Sequence, residues 1–194
     1  MQKCLDIFST YFQMWKISPN ASKTQLIIFP HKPRASFLKP NNNHVIKMNG
    51  VILNWSVKYL GLIYDKKLTF KDHIEGIQTK CNKYVRCLYP LINRNSRLCL
   101  KNKLLIYKQI FRPAMLYAVP IWSSCCSSRK KTLQRIQNKI LKMILKRPPW
   151  FSTLELHRLT NVETLETMSS KIINNFRQKS LQSPIATISS LYRL

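Results

Sequence analysis

The sequence contains few glycines and few acidic residues, and each shortage excludes a class of site. Gly50, Gly61 and Gly76 are the only glycines among 194 residues, so neither a P-loop nor a G-x-G-x-x-G turn is present. The seven Asp and Glu residues include no adjacent pair and no Asp-x-Asp, whereas two-metal phosphoryl transfer requires clustered carboxylates. We therefore expect no complete polymerase or nuclease site, and no metal or other cofactor bound by this chain alone.

Paired cysteines and long apolar runs are also missing from the sequence. The six cysteines form no C-x-x-C pair and the four histidines are dispersed, so the spacing typical of zinc sites is absent. We interpret the cysteines as reduced thiols of an intracellular protein, most of them small core residues. The longest uncharged stretch, Pro113 to Ser128, contains two prolines and several serines, so no membrane span is predicted.

Positive charge is what the sequence has in excess. Its 33 Lys and Arg residues against 7 Asp and Glu residues give a formal net charge of +26. No acid lies between Glu75 and Glu155, whereas 17 bases occupy the stretch from Lys80 to Arg147. So large a positive field favours a polyanionic partner, either nucleic acid or an anionic membrane surface.

Hydrophobic periodicity predicts an α+β fold, in which an N-terminal helix and a small antiparallel strand element precede an all-helical bundle. The first helix has an apolar face of Leu5, Phe8, Phe12 and Trp15, and it opens without an N-cap motif, as a fragment of a larger domain would. The predicted strands are Thr24 to Phe29, the two sides of an Asn49-Gly50 hairpin, and an extended run from Val57 to Tyr64.

Five helical segments are predicted after Asp65, with breaks at Pro90, Pro113 and Pro148-Pro149. They are Phe70 to Leu88, a segment with an apolar face of Leu100, Leu104, Tyr107 and Phe111, Leu133 to Ile144, a short turn near Leu154 to His157, and Asn161 to Arg177. The four tryptophans, Trp15, Trp55, Trp122 and Trp150, are interpreted as core residues.

One predicted helix separates cationic from apolar residues. At about 100° per residue, its cations fall within an arc of about 80°, opposite Leu133, Ile136, Ile140 and Ile144. This cationic stripe consists of Lys131, Arg135, Lys139, Lys142 and Lys146. An ordinary solvated face and a membrane-surface helix are the alternatives, but the apolar side is needed for packing on neighbouring helices, which favours contact with a phosphate backbone.

Several sequence runs share the order and spacing of one family of polymerases. They are W-K-I-S-P-N-A-S-K-T-Q-L-I-I-F (Trp15 to Phe29), V-K-Y-L-G-L-I-Y-D-K-K-L-T-F (Val57 to Phe70), L-Y-P-L-I (Leu88 to Ile92), L-K-N-K-L-L-I-Y-K-Q-I-F-R-P (Leu100 to Pro113), M-L-Y-A-V-P-I-W (Met115 to Trp122) and L-Q-R-I-Q-N-K-I-L-K-M-I-L (Leu133 to Leu145). The runs resemble the reverse transcriptases of jockey-type non-LTR retrotransposons. The resemblance implies that residues 1–65 form the end of the palm, including a primer-grip-like hairpin, and that residues 66–194 form a helical thumb with C-terminal helices.

The resemblance also implies roles for individual residues. Lys23 matches the lysine thought to protonate the departing pyrophosphate, and a lysine beside phosphates can act as a general acid; the alternative is a solvated lysine that precedes a strand. Lys58, Tyr59, Leu60 and Gly61 match the primer grip, which holds the 3′ end of the growing strand; the alternative is alternating strand residues beside a turn. The family match does not assign the residues of the cationic stripe individually.

The function implied is that of a fragment of an RNA-directed DNA polymerase. Such a fragment would bind template and primer but would lack the metal-binding aspartates, so Mg²⁺ is expected only in the complete enzyme and the chain alone is predicted to be inactive. Its expected partners are RNA or an RNA–DNA duplex and the missing palm and fingers, within a nuclear or cytoplasmic ribonucleoprotein. The alternative is a non-catalytic, basic nucleic-acid-binding protein, a domesticated remnant. In such a fragment, the N-terminal helix and the strands of residues 24–64 would expose apolar faces that the missing part normally covers, so self-association is expected.

Overall fold

The computed structural model describes residues 2–18, 20, 23–25, 27, 29 and 56–184, and the chain divides into two compact units, Met1–Thr69 and Phe70–Leu194. The described part of the first unit contains helix α1 (Gln2–Met14) and an antiparallel pair of strands, β1 (Ser56–Tyr59) and β2 (Leu62–Asp65). The second unit contains α2 (Lys71–Ile92), α3 (Leu100–Ile106, then a π-helical turn at Tyr107–Phe111, then Arg112–Leu116), α4 (Val119–Trp122), α5 (Ser127–Ile144), α6 (Thr153–Thr160) and α7 (Leu165–Leu181). The predicted α+β class is confirmed.

Helix α1 confirms the predicted N-terminal helix but exposes its aromatic residues. Phe8 and Tyr11 are exposed, and Trp15, just past the helix end, is 62% exposed. The ring centroids of Phe8 and Phe12 lie 6.2 Å apart, and those of Tyr11 and Trp15 lie 6.1 Å apart. The interpretation of Trp15 as a core residue is wrong, because its indole packs on Tyr11 one turn earlier and otherwise remains open to solvent.

The run from Val57 to Tyr64 is a tight hairpin, which corrects the prediction of one extended segment. The turn between β1 and β2 consists of Leu60 and Gly61, whose φ angles of 47° and 79° both lie in the left-handed region. Two such residues make the turn type whose twist matches that of the flanking strands. A glycine adopts this geometry without strain, whereas a leucine pays a cost of about 1 kcal/mol or more.

The other predicted strands have different outcomes. A strand was predicted from Thr24 to Phe29. The described residues of this segment are 24, 25, 27 and 29, and none of them lies in a strand, so the prediction is wrong for these residues. The backbone N–H and the hydroxyl of Thr24 both donate to the carbonyl of Asn20, at 3.0 and 2.9 Å, so a local turn satisfies the groups that a strand would pair. The predicted Asn49-Gly50 hairpin lies outside the described residues.

The chain leaves the hairpin through a loop organised by Asp65. One carboxylate oxygen of Asp65 accepts hydrogen bonds from the backbone N–H groups of Lys67 and Thr69, both at 3.0 Å, and the other accepts from the Thr69 hydroxyl at 3.1 Å. The single acid of the Y-D-K-K-L-T-F run is therefore a turn-forming residue, as Asp residues commonly are.

The core of the second unit follows a period of four residues along α3 and into α4. Tyr107, Phe111, Met115 and Val119 are fully buried at four-residue intervals. A regular α-helix overshoots by about 40° every four residues, so such a row would drift off one face. The π-helical turn at Tyr107–Phe111 has more residues per turn and keeps these two residues on the same face, whereas Val119 follows a break in the helix at Tyr117 and Ala118.

This geometry corrects two predictions about α3. Tyr107 and Phe111 are buried as predicted, but Leu100 is exposed and Leu104 is only half-buried, so the predicted apolar face is buried only in its second half. Pro113 does not end the helix either, because it follows the π-helical turn near the start of a new α-helical segment, where a missing N–H costs little. Pro90 likewise lies within the last turn of α2, which continues for two further residues.

The remaining helices pack around α5. Helix α5 contacts α2, α3, α6 and α7, and α4 packs against α7. The predicted break at Pro148-Pro149 is confirmed, because α5 ends at Ile144 and α6 begins at Thr153. The last helix begins at Leu165, four residues later than predicted, since Asn161 ends α6 in the left-handed region and Thr164 caps α7 by accepting from the Thr167 backbone N–H.

Buried His73 makes the stability of the fold sensitive to mild acid. Its Nε2 has no hydrogen-bond partner among the described residues, its ring centroid lies 6.3 Å from that of Trp122, and burial lowers the pKa of His73 below its ordinary 6.5. The unfolded chain therefore binds the additional proton once the pH falls below about 6.5, so the free energy of unfolding decreases in that direction. We expect the urea midpoint to fall between pH 7.5 and pH 5.5, and to fall less in His73→Phe; equal slopes in the two proteins would contradict this assignment.

Candidate nucleic-acid interface

Helix α5 has one buried face and one cationic face, as its sequence predicts. Its buried residues are Leu133, Gln137, Ile140, Leu141 and Ile144, which form part of the core of the second unit. Lys131, Arg135 and Lys139 are exposed on the helix and Lys142 is half-buried. Because the apolar side of α5 is covered by other helices, the part that it offers to a partner is the charged face.

Three residues of the cationic stripe line one groove, whose volume is about 380 Å³. Arg135, Lys139 and Lys142 are joined there by Arg147, which the stripe did not include. The other lining residues are Asn138, Met143 and Pro149. Four cations around one groove give a concentration of positive charge suited to phosphate groups.

Lys131 lies apart from this groove, beside a second cleft of about 250 Å³ between α4, α5 and α7. The interior of that cleft is mostly apolar, with Trp122 and Leu133 among its lining residues. Lys130 and Glu166 lie at the same cleft, so its charges are of both signs. Lys131 is therefore less suited than the groove cations to contact phosphates.

Lys146 lies past the end of α5, which corrects its placement on the helical arc. Its φ angle is 57°, its backbone N–H donates to Met143 O at 3.2 Å, and that of Arg147 donates to Lys142 O at 2.9 Å. This pair of bonds is the usual left-handed termination of a helix, in which glycine commonly occupies the position of Lys146. The turn redirects the chain so that Arg147 faces the groove.

A buried lysine, Lys103 of α3, supports the loop that follows α2. Its side chain is 2% exposed, and its Nζ donates to the carbonyl oxygens of Asn93 at 2.9 Å and Ser96 at 3.4 Å. Burial lowers the pKa of Lys103, and the nearby charge of Lys146 lowers it further. Lys103 is one of the 17 bases in the acid-free stretch, but its ammonium group serves the fold.

Two inward glutamines of α5 hold the chain between α6 and α7. Gln137 is completely buried, and its Nε2 donates to Tyr107 Oη and to Glu163 O, both at 2.9 Å. Gln134 donates to Gln137 Oε1 at 2.7 Å and accepts from the Leu165 backbone N–H at 2.9 Å. Burial raises the pKa of Tyr107 to about 12, so its hydroxyl stays protonated at neutral pH.

Asn138 and His157 extend this polar network to α6. Gln134 Nε2 donates to Asn138 Oδ1 at 2.8 Å, and His157 Nδ1 lies 2.7 Å from Val162 O. Because a carbonyl can only accept, Nδ1 carries the proton of the imidazole. None of the residues of this polar network was predicted from the sequence, although the L-Q-R-I-Q-N run places Gln134 and Gln137 three positions apart. Such spacing puts both on one helix face, which is the signal that could have revealed an inward polar pair.

The primer-grip residues lie at the tip of the hairpin in the first unit. Lys58, Tyr59, Leu60 and Gly61 are all exposed, and Tyr59 is 62% exposed. Adjacent strand residues point to opposite faces, so Lys58 and Tyr59 cannot contact one nucleotide from the same side. Tyr59 shares its face with its cross-strand partner Leu62, and Lys58 shares the other face with Ile63.

Lys23 lies in an exposed turn, where its backbone N–H donates to Asn20 O at 3.1 Å. Within the described residues, no three His, Cys, Asp or Glu side chains come together as a metal site would require. Cys81 and Cys125 are buried free thiols, and burial raises the pKa of Cys81 to about 11. Cys87, Cys99 and Cys126 are exposed, so the interpretation of the cysteines as mostly core residues is wrong for these three.

Comparison with known proteins gives relatives of one kind. The chain is 34% identical over 158 residues to a probable RNA-directed DNA polymerase from transposon X-element of Drosophila melanogaster, which covers 81% of this chain and 17% of that protein. It is 28% identical over 181 residues to a probable RNA-directed DNA polymerase from transposon BS of the same species, covering 92% and 19%. It is 29% identical over 153 residues to the RNA-directed DNA polymerase from mobile element jockey of Drosophila funebris, covering 78% and 16%.

The chain is thus homologous over most of its length to RNA-directed DNA polymerases of non-LTR retrotransposons of the jockey and X-element type. It spans less than one fifth of the length of these curated relatives. No protein-family model and no solved structure matches it. None of the helices described in the structure is long and apolar enough to cross a membrane.

Proposed function

We propose that this chain is a fragment of a non-LTR retrotransposon reverse transcriptase that contributes template–primer binding. The observation that carries the proposal is the groove of Arg135, Lys139, Lys142 and Arg147 in a chain homologous to RNA-directed DNA polymerases. A polymerase must hold a duplex of any sequence, so it needs cations for the phosphate backbone more than contacts to base edges. The four cations of the groove belong to the stretch between Glu75 and Glu155 that contains no acid.

The two units have different roles in this proposal. The helical unit acts as the thumb and binds the RNA–DNA duplex through the groove. The first unit supplies the end of the palm, where the hairpin residues Lys58 to Gly61 contact the primer strand and the Lys23 ammonium group donates a proton to the leaving pyrophosphate. Polymerisation in the complete enzyme also needs Mg²⁺, but the described acids of this chain do not cluster, so the ions would be held by carboxylates elsewhere in the enzyme.

A membrane-surface role has less support than nucleic-acid binding. Basic amphipathic helices bind anionic lipid by burying their apolar face among acyl chains. In α5 that face is already occupied, because Leu133, Ile140 and Ile144 are buried in the helical unit. The cationic face alone is suited to phosphates in an aqueous groove.

Complementation of primer extension tests the proposed function. The purified chain is mixed with the remainder of a jockey-type polymerase that carries the catalytic aspartates, a primed RNA template, nucleotides and Mg²⁺. We expect extension only in the mixture, and none with either part alone. Extension by the chain alone would contradict the proposal. A chain that binds the hybrid but never restores extension would instead be the non-catalytic nucleic-acid-binding protein.

A further inference from the structure

Trp150 lies at the surface of the turn between α5 and α6, which corrects its interpretation as a core residue. Its side chain is 85% exposed, whereas its neighbour Phe151 is half-buried. The Phe151 backbone N–H donates to Pro148 O at 3.1 Å and closes the turn. Two prolines precede Trp150, and the backbone of Phe151 after it is hydrogen-bonded. The backbone around Trp150 is therefore stiff, and its side chain lies in solvent.

This turn is attached to the cationic groove on both sides. Pro149, which precedes Trp150, lines the groove, and its carbonyl accepts a hydrogen bond from Lys142 Nζ. The guanidinium carbon of Arg147, also a groove residue, lies 5.0 Å from the centre of the Phe151 ring. The backbone of Trp150 is therefore anchored next to the groove, and its indole is exposed there.

A flat aromatic surface beside a row of cations is the arrangement that binds unpaired nucleotides. The cations contact the phosphates, and the base stacks on the aromatic ring without regard to its identity. A base in the interior of a duplex is covered on both sides by its neighbours, so the indole is suited to an unpaired base beyond the duplex end.

We propose that Trp150 is a stacking platform for an unpaired base whose adjacent phosphates lie in the groove of Arg135, Lys139, Lys142 and Arg147. The inference rests on the proposed function, since it concerns the same groove, and it specifies the ligand as a junction between duplex and single strand. The template strand that extends beyond a primer end is a nucleic acid of this form.

The test compares the full chain with three variants on three nucleic acids. The ligands are a blunt RNA–DNA hybrid, the same hybrid with a short single-stranded RNA extension, and the extended hybrid with abasic positions in its extension. The variants are Trp150→Ala, Trp150→Phe and, as the matched control, Leu154→Ala, because Leu154 is also 85% exposed. Replacing a side chain so exposed should leave the fold intact, which circular dichroism checks.

We expect the unmodified chain to bind the extended hybrid about 5- to 150-fold more tightly than the blunt or abasic ligand, the range that stacking of one base provides. Trp150→Ala should lose this preference, Trp150→Phe should keep part of it, and Leu154→Ala should keep all of it. Binding of the blunt hybrid should be the same in all four proteins.

Two failures are distinguishable. Equal binding of blunt, extended and abasic ligands, or an undiminished preference in Trp150→Ala, would overturn the stacking site while leaving the proposed function standing. If none of the three ligands binds, the proposed function is overturned together with the inference. Binding to the extended hybrid alone would support the stacking site and remove the duplex from the proposed function.

Discussion

Replacing Arg135 and Lys139 together by glutamine is expected to lower the affinity for an RNA–DNA hybrid by roughly 50-fold at about 100 mM salt. Both side chains are exposed and line the groove. Each phosphate contact that is lost removes about 0.9 from the slope of log affinity against log salt, so two contacts correspond to a slope smaller by about 1.8. Titration of labelled hybrid at several salt concentrations measures both quantities.

The control for this variant removes the same charge elsewhere. Arg177 and Lys179 are exposed on α7, and their double replacement by glutamine also lowers the net charge by two. If the groove binds the phosphates, the control should keep its affinity within a few-fold of the unmodified chain, because charges outside the contact act only through the screened field. Equal losses in the two double variants would mean that the net charge, and not the groove, determines binding.

Gln137→Leu is expected to lower the free energy of unfolding by about 2–4 kcal/mol, the largest stability effect we predict for a single replacement. The side chain is completely buried, and its loss leaves Tyr107 Oη and Glu163 O without their partner. The Leu165 N–H retains its hydrogen bond to Gln134, which limits the loss of stability. Urea unfolding followed by circular dichroism gives the change.

A surface glutamine provides the comparison for this replacement. Gln178 is exposed on α7, and Gln178→Leu should change the free energy of unfolding by no more than about 0.5 kcal/mol. Tyr107→Phe separates the contributions further, because it removes one partner of Gln137 while keeping the ring. Identical unfolding curves for Gln137→Leu and the unmodified chain would show that the buried network does not stabilise the fold.

The amphipathic pattern of the chain predicted most of the helices, because burial of one face is what produces the pattern. The apolar residues Leu133, Ile140 and Ile144 are buried as expected, and the stripe residues Arg135 and Lys139 are exposed. The proline pair after α5 predicted its break correctly. These features depend on residues close in sequence, where a fixed helical period applies.

Features that depend on contacts distant in sequence were not predicted. Tyr107 and Phe111 were predicted on an apolar face, but Met115 and Val119, which continue the buried row, were not included because the helix was predicted to end at Pro113. In the sequence, Lys103 cannot be told from an exposed lysine. Its burial depends on two carbonyl groups of the preceding loop, which accept hydrogen bonds from its ammonium group. Trp150 was assigned to the core as an aromatic residue, whereas its side chain is 85% exposed in the turn between α5 and α6.

Part of the candidate site could be predicted from the sequence. The stripe contributed three of the four groove cations, but a helical projection could not include Arg147, which reaches the groove after a left-handed turn. The same turn moved Lys146 off the helix. A helical projection assigns a helical angle to every residue, so it misplaces side chains that follow the end of the helix.

The most direct test of the account is the affinity of the chain for an RNA–DNA hybrid measured at salt concentrations from about 50 to 200 mM, beside vesicles of anionic lipid at the same salt. Contacts between the groove and several phosphates predict that the hybrid affinity falls by about tenfold or more over this range, and that the hybrid is preferred to the vesicles. Hybrid binding that does not change with salt, or tighter binding to the vesicles, would contradict a role in holding the template and primer.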